Sequence, residues 1–210
     1  MLIITNFIKK YPGNPAPVLS ITECILQKGI YWIKGENGSG KTSLMKSVAG
    51  IIPFEGDIHV NGLHVRRNRM AYTRIVNYAE AEPLYPPFLT GKELIDFYKA
   101  TKAGDFPDAL MKGLGVEKFM EQKTATYSSG MLKKLSLVLG FIGSPQLILL
   151  DEPLIALDLA AVEILQSSIM QYNQKGISFL ITSHQHLNIQ LLTGTTTLLI
   201  KEKTLQKGTV

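Results

Sequence analysis

Apolar residues recur along this chain with two periods, and the change from one to the other outlines the fold. Short β-prone runs, alternating or continuous, occupy residues 2–7, 19–26, 31–34, 56–60, 75–78, 147–150, 178–182 and 196–201, each of strand length and rich in branched or aromatic side chains. The early runs cluster around hairpin signals, of which Asn61-Gly62 is the strongest, whereas the later ones alternate with helix-like stretches. This order predicts an antiparallel β layer beside a mainly parallel α/β core. Between 83 and 144 no strand pattern appears and the sequence reads as helical. Thr90-Gly91-Lys92-Glu93 has the form of a capping box leading into a helix over 94–102, Pro107 suits a first helical turn, and a helix after Ser128 is expected to run to about Ile142. The expected organisation is one domain over 1–210, with an α/β core and β layer from 1–82 and 145–210 and a helical subdomain inserted at 83–144.

Composition adds a setting to that outline. Hydrophobic residues make up 45% of the 210 positions and charged residues 19%, ordinary values for a globular domain, and no run of 18 apolar residues is available to span a bilayer. The first seven residues, Met1-Leu2-Ile3-Ile4-Thr5-Asn6-Phe7, lack the basic, apolar and small-residue segments of a secretory signal, so none is expected. Cys24 is the single cysteine; it excludes an intrachain disulfide, agrees with a reducing compartment, and is expected to pack as a small apolar residue. A net charge of +5 and a pI near 9.2 suit a protein that binds phosphates and do not call for a nucleic-acid partner. The densest basic stretch, His64-Val65-Arg66-Arg67-Asn68-Arg69, is either a solvated loop or a contact for anionic lipid, a membrane partner or nucleic acid.

The most specific chemistry lies in Gly35-Glu36-Asn37-Gly38-Ser39-Gly40-Lys41-Thr42, which fits G-x-x-x-x-G-K-[ST] between a β-prone run and residues with helical spacing that end at Gly50. Glycines let consecutive backbone N–H groups turn inward around a phosphate, and the following helix presents its positive end to the anion. The expected nucleotide contacts are Gly35, Asn37, Gly38, Ser39, Gly40, Lys41, Thr42 and the adjoining Ser43. Lys41 would reach the β- and γ-phosphate oxygens and Thr42 would offer a hydroxyl to Mg²⁺. A second signal is the apolar run Leu147-Ile148-Leu149-Leu150 ending in Asp151-Glu152. That is the profile of a buried strand whose end meets a metal–phosphate site: Asp151 is placed to hold Mg²⁺, and Glu152 to polarise the water that attacks the γ-phosphate. Adjacent strand residues point oppositely, so the second role requires the chain to turn at once, as Pro153 allows.

Taken together in this order, the motifs resemble those of the ATP-binding-cassette (ABC) ATPases over nearly the whole chain. Asp151-Glu152-Pro153 with Ile155-Ala156-Leu157-Asp158 resembles the Walker B strand and D-loop of that family, and His184, after Phe179-Leu180-Ile181-Thr182-Ser183, stands where its switch histidine does. Tyr127-Ser128-Ser129-Gly130-Met131 resembles the signature loop, and Tyr11 matches the aromatic residue that stacks on adenine. The resemblance implies a P-loop NTPase fold and a head-to-tail pair of cassettes, homodimeric or heterodimeric. In such a pair Ser128, Ser129 and Gly130 would approach the γ-phosphate bound by the opposite protomer. His184 would position that phosphate, with Glu152 and Lys41 as the catalytic groups.

The sequence departs from the family pattern at two places. Where the family has a glutamine that meets Mg²⁺, this chain reads Glu80-Ala81-Glu82-Pro83; Ala81 aligns nearest, and Glu82 is the substitute metal ligand expected here. The signature has Ser129 for a glycine and Met131 for a glutamine. The resemblance implies a Mg²⁺-dependent ATP hydrolase of a small exporter-like type, peripheral to the inner, cytoplasmic face of the cell membrane. It would drive separate transmembrane permease subunits, facing them with the helical subdomain and the 75–90 connection. The alternative is a soluble ABC ATPase of metal-cluster assembly, DNA repair or translation.

Overall fold

The structure is a computed structural model that describes residues 1–183 and 194–208. Two sheets share the chain. Strands β1 (Leu2–Lys9), β2 (Leu19–Leu26), β4 (Glu55–Val60) and β5 (Leu63–His64) form an antiparallel sheet in the order β2-β1-β4-β5. The second sheet has β3 (Ile30–Lys34), β6 (Val76–Ala79), β7 (Leu147–Leu150), β8 (Ser178–Thr182), β9 (Thr196–Lys201) and β10 (Thr204–Lys207) in the order β10-β9-β3-β8-β7-β6. Only β10, the return strand of a hairpin with β9, is antiparallel. The chain is thus α/β, with the antiparallel layer and the mainly parallel core that its periodicities predict.

The central strands read as continuous apolar runs because both of their faces are covered. Along β7, Leu147 and Leu149 enter one hydrophobic cluster while Ile148 and Leu150 enter the other. The first cluster joins this sheet to the antiparallel layer through Phe7, Ile21 and Ile58 and to Leu44, Met45 and Val48 of helix α1 (Lys41–Val48). The second packs under α3 (Gly91–Thr101), α4 (Asp108–Gly113), α5 (Ser129–Phe141) and α6 (Leu159–Gln174). Three of these helices, α3 to α5, lie between β6 and β7 in the chain. Thr90 and Glu93 form the expected reciprocal cap of α3, and Ser128 caps α5 by accepting from the Met131 N–H. Pro107 sits at the N-cap of α4, one residue before the helix proper. Cys24 is half-buried beside the first cluster, and burial pushes its thiol pKa up, away from a reactive thiolate.

Three expectations are revised. Ile75 closes a short helix, α2 (Arg69–Ile75), and the strand begins at Val76. Strands β5 and β10 carry no clear burial pattern and were not expected. The basic stretch is solvated over Arg66–Arg69, all exposed, but its start is built into the fold: His64 and Val65 are buried, the His64 Nε2 meets Asp57 Oδ1 at 2.8 Å, and its Nδ1 accepts from the Arg66 and Arg67 N–H groups. Arg66 lies 4.7 Å above the Phe54 ring and donates to the Phe54 carbonyl.

Candidate functional site

Strands β3, β8 and β7 are parallel neighbours, so their C-terminal ends fall in a row, where open α/β sheets place their ligands. The glycine-rich loop follows β3, Thr182 ends β8, and Asp151 follows β7. Gly40, the N-cap of α1, has φ 98°, a left-handed conformation that glycine adopts without a Cβ penalty. A Cβ there would also stand 3.1 Å from Val18 Cγ1. The Lys41 ammonium, buried under the loop, donates to the Gly35 and Glu36 carbonyls at 2.8 and 2.9 Å. These bonds use two of its three protons to set the loop's curvature. Burial lowers the Lys41 pKa, against the opposing pull of Glu152 and Asp151.

Tyr11, Gly38, Lys41, Thr42, Ser43 and Glu152 line one cleft of about 300 Å³, together with Val18 and Gly40. The Tyr11 hydroxyl is 3.0 Å from Ser43 Oγ, and the Lys9 ammonium sits 4.3 Å over the Tyr11 ring. The same loop borders a second, larger cleft of about 700 Å³, lined by Gly35, Asn37 and Ser39 with Leu199–Lys203 and residues 14–18. Ser39 Oγ is buried without a hydrogen-bond partner.

Asp151 is fully buried. The Tyr78 hydroxyl donates to its Oδ2 at 3.1 Å, and Thr182 Oγ1 donates to its Oδ1 at 2.6 Å while accepting from the Glu152 N–H at 2.9 Å. Burial, reinforced by the Asp151 charge, pushes the Tyr78 pKa far up and keeps it a hydroxyl donor. Glu152 has φ 45°: the chain turns sharply after the strand and swings this side chain to the Lys41–Thr42 cleft. That turn resolves the objection that adjacent strand residues point apart.

The signature segment begins α5. A Cβ on Gly130 would lie 3.0 Å from the Ala156 carbonyl oxygen, so the absence of a side chain lets the first turn of α5 pass close to Ala156. Lys134 meets Asp158 Oδ2 at 3.0 Å, and Asp158 in turn caps α6 by accepting from the Ala161 N–H. The cap and then Lys134 hold the Asp158 carboxyl below its ordinary pKa. Ser128, Ser129 and Gly130 are not among the residues lining the Lys41 cleft. Glu82 is exposed on the connection after β6 and likewise does not line the cleft. His184 lies outside the described residues. Among those described, no cluster of three His, Cys, Asp or Glu side chains is arranged for a metal.

Three polar side chains bonded to Asp151 escape a sequence reading. Tyr78 and Thr182 look like ordinary strand residues. Lys133 lies beside Lys134 in α5, and its ammonium is buried, donating to the Glu80, Ala81 and Asp151 carbonyls at 2.8, 3.0 and 3.0 Å. A lysine on the buried face of α5 is the one visible clue. Burial pushes its pKa down to about 8 despite nearby carboxylates.

The sequence profile described as ABC transporter matches residues 20–155. The chain belongs to the ABC transporter family. As an ABC cassette it is 30% identical over 195 residues to the uncharacterized ABC transporter ATP-binding protein YybJ of Bacillus subtilis (strain 168), covering 90% of this chain and 88% of that one. It is also 30% identical over 162 residues to the cytochrome c biogenesis ATP-binding export protein CcmA of Legionella pneumophila (strain Lens), covering 76% and 80%. Among solved structures it resembles the dimeric, post-hydrolysis ATP-binding cassette MJ0796 bound to ADP and Pi, with a TM-score of 0.83, 17% identity, and 99% and 98% of the two chains covered. This last likeness establishes the fold.

Proposed function

We propose that this cassette is the Mg²⁺-dependent, ATP-hydrolysing subunit of a membrane transporter, working in a head-to-tail pair at the cytoplasmic face. The observation that carries the reading is the meeting of Glu152 with Lys41 and Thr42 in one cleft, beside the buried Asp151. A carboxylate brought there by a left-handed turn has a chemical use. It takes the proton of a water that attacks the γ-phosphate in line, while Lys41 and the loop N–H groups hold the developing charge.

The donor set fits Mg²⁺. That ion keeps several waters and uses one or two carboxylates together with substrate phosphates, so no protein cage is needed. Thr42 and Asp151 would hold it, and when bound it would neutralise phosphate charge. Tyr11, hydrogen-bonded to Ser43, would support the base.

A groove of about 650 Å³ supports a membrane partner. Its walls include Ile51, Met70, Arg74, Tyr78, Phe97 and Thr101, from both the core and the inserted helices. Met70 and Phe97 are 77% and 62% exposed, and Leu84 on the nearby connection is 90% exposed, a grouping that marks an interaction surface. No helix among the described residues is long and apolar enough to cross a membrane, and the proposal assigns the spanning part to separate subunits. Purified protein should hydrolyse ATP in Mg²⁺, and Lys41→Ala should reduce kcat by about 100-fold or more. Wild-type rates in Lys41→Ala would refute the assignment. Affinity purification from detergent-solubilised membranes should recover a multi-span protein; recovery of soluble partners alone would overturn the transporter reading while leaving hydrolysis intact.

A further inference from the structure

The two oxygens of the Asp151 carboxylate are each taken by a hydroxyl from a different strand. Tyr78 on β6 reaches Oδ2 and Thr182 on β8 reaches Oδ1, so the strands on either side of β7 both hold its terminal carboxylate. A buried carboxylate with one hydroxyl on each oxygen cannot rotate about its terminal bond without losing both contacts. The Thr182 hydroxyl is an acceptor as well as a donor. Its oxygen takes the Glu152 N–H, and that bond fixes the peptide at the left-handed turn. One threonine therefore sets the aim of Asp151 and the backbone that carries Glu152.

We propose that Tyr78 and Thr182 are positioning residues for nucleotide hydrolysis: a two-hydroxyl clamp that orients Asp151 toward Mg²⁺ and, through Thr182, holds Glu152 in its turn. The inference rests on the hydrolase reading above. Its chemical logic is that of outer-shell partners at metal sites, which fix the ligand's orientation without touching the metal. Tyr78 also forms part of the groove wall, so the side chain that steadies Asp151 is shared with the proposed partner surface.

Conservative variants of the full chain test the clamp. Tyr78→Phe and Thr182→Val remove only a hydroxyl, or exchange it for a methyl, and Thr182→Ser keeps the hydroxyl. In nucleotide-free protein, hydrogen exchange at the Glu152 amide should quicken by about 10-fold or more in Thr182→Val and return toward wild type in Thr182→Ser. Binding of a fluorescent ATP analogue in EDTA should stay within about 2-fold of wild type in all three. The Mg²⁺ concentration for half-maximal hydrolysis should rise, and kcat fall, by about 10-fold or more in Tyr78→Phe and in Thr182→Val, with recovery in Thr182→Ser. A purely structural role predicts lower unfolding midpoints with an unchanged Mg²⁺ requirement, and that result would overturn the proposal. So would unchanged amide exchange in Thr182→Val, or a Thr182→Ser protein as impaired as Thr182→Val. Should Thr182→Val fail to fold, the Mg²⁺ requirement of Tyr78→Phe decides alone. A wild-type protein that does not hydrolyse ATP would instead defeat the hydrolase reading, and the exchange measurement would still judge the clamp's geometry.

Discussion

At the scale of single residues, the candidate site depends on polar groups that are buried because their partners are buried with them. Lys133 is the clearest case. Its three ammonium protons go to three backbone carbonyls, two on the connection after β6 and one on Asp151, so it fastens α5 to that connection and to Asp151 itself. Lys133→Met would keep the length of the side chain but leave those carbonyls without their donor. A loss of about 1–3 kcal/mol in urea unfolding is expected, together with faster amide exchange over 79–82; unchanged stability and exchange would show the bonds to be dispensable. Lys41, Thr42, Asp151 and Glu152 were legible in the sequence because phosphate and metal chemistry restricts residue type and spacing. Lys133, Tyr78 and Thr182 were not, since what brings them to Asp151 is which strand or loop lies opposite, and one sequence does not contain that.

At the scale of elements, the join between the inserted helices and the core is built around a half-buried lysine. Lys102, at the C-terminus of α3, donates to the Thr73 and Val76 carbonyls and to Asn77 Oδ1, and Asn77 donates in turn to the Gly140 and Ile142 carbonyls at the end of α5. Burial lowers the Lys102 pKa from 10.5 to about 8. Between those values the unfolded chain binds the proton that the folded chain releases, so this lysine makes stability rise with pH. The urea midpoint of wild type relative to Lys102→Met should therefore be flat below about pH 8 and climb toward pH 10, and a difference independent of pH would contradict the assignment. The elements themselves were largely readable. Long strands with two covered faces and helices with capping residues announce themselves; β5, with only two residues, and β10, with no fully buried residue, do not. The end of α2 merged with β6 because Ile75 and Val76 are both apolar and β-branched.

At the scale of the whole molecule, two faces would leave the cassette incomplete on its own. The groove between core and inserted helices, with exposed Met70 and Phe97 on its walls, would receive the membrane partner. The Ser128–Gly130 segment, which caps and starts α5 close to Ala156 and does not line the Lys41 cleft, would complete the site of a second cassette. The central claim is thus a shared site in which Glu152 performs the proton transfer. Glu152→Gln removes the base while keeping shape and hydrogen bonding, so ATP should bind and persist. Sedimentation velocity of Glu152→Gln with ATP and Mg²⁺ tests this most directly: the account predicts a stable, nucleotide-bound dimer with hydrolysis lowered by about 100-fold or more, and a monomer that hydrolyses ATP at the wild-type rate would contradict it.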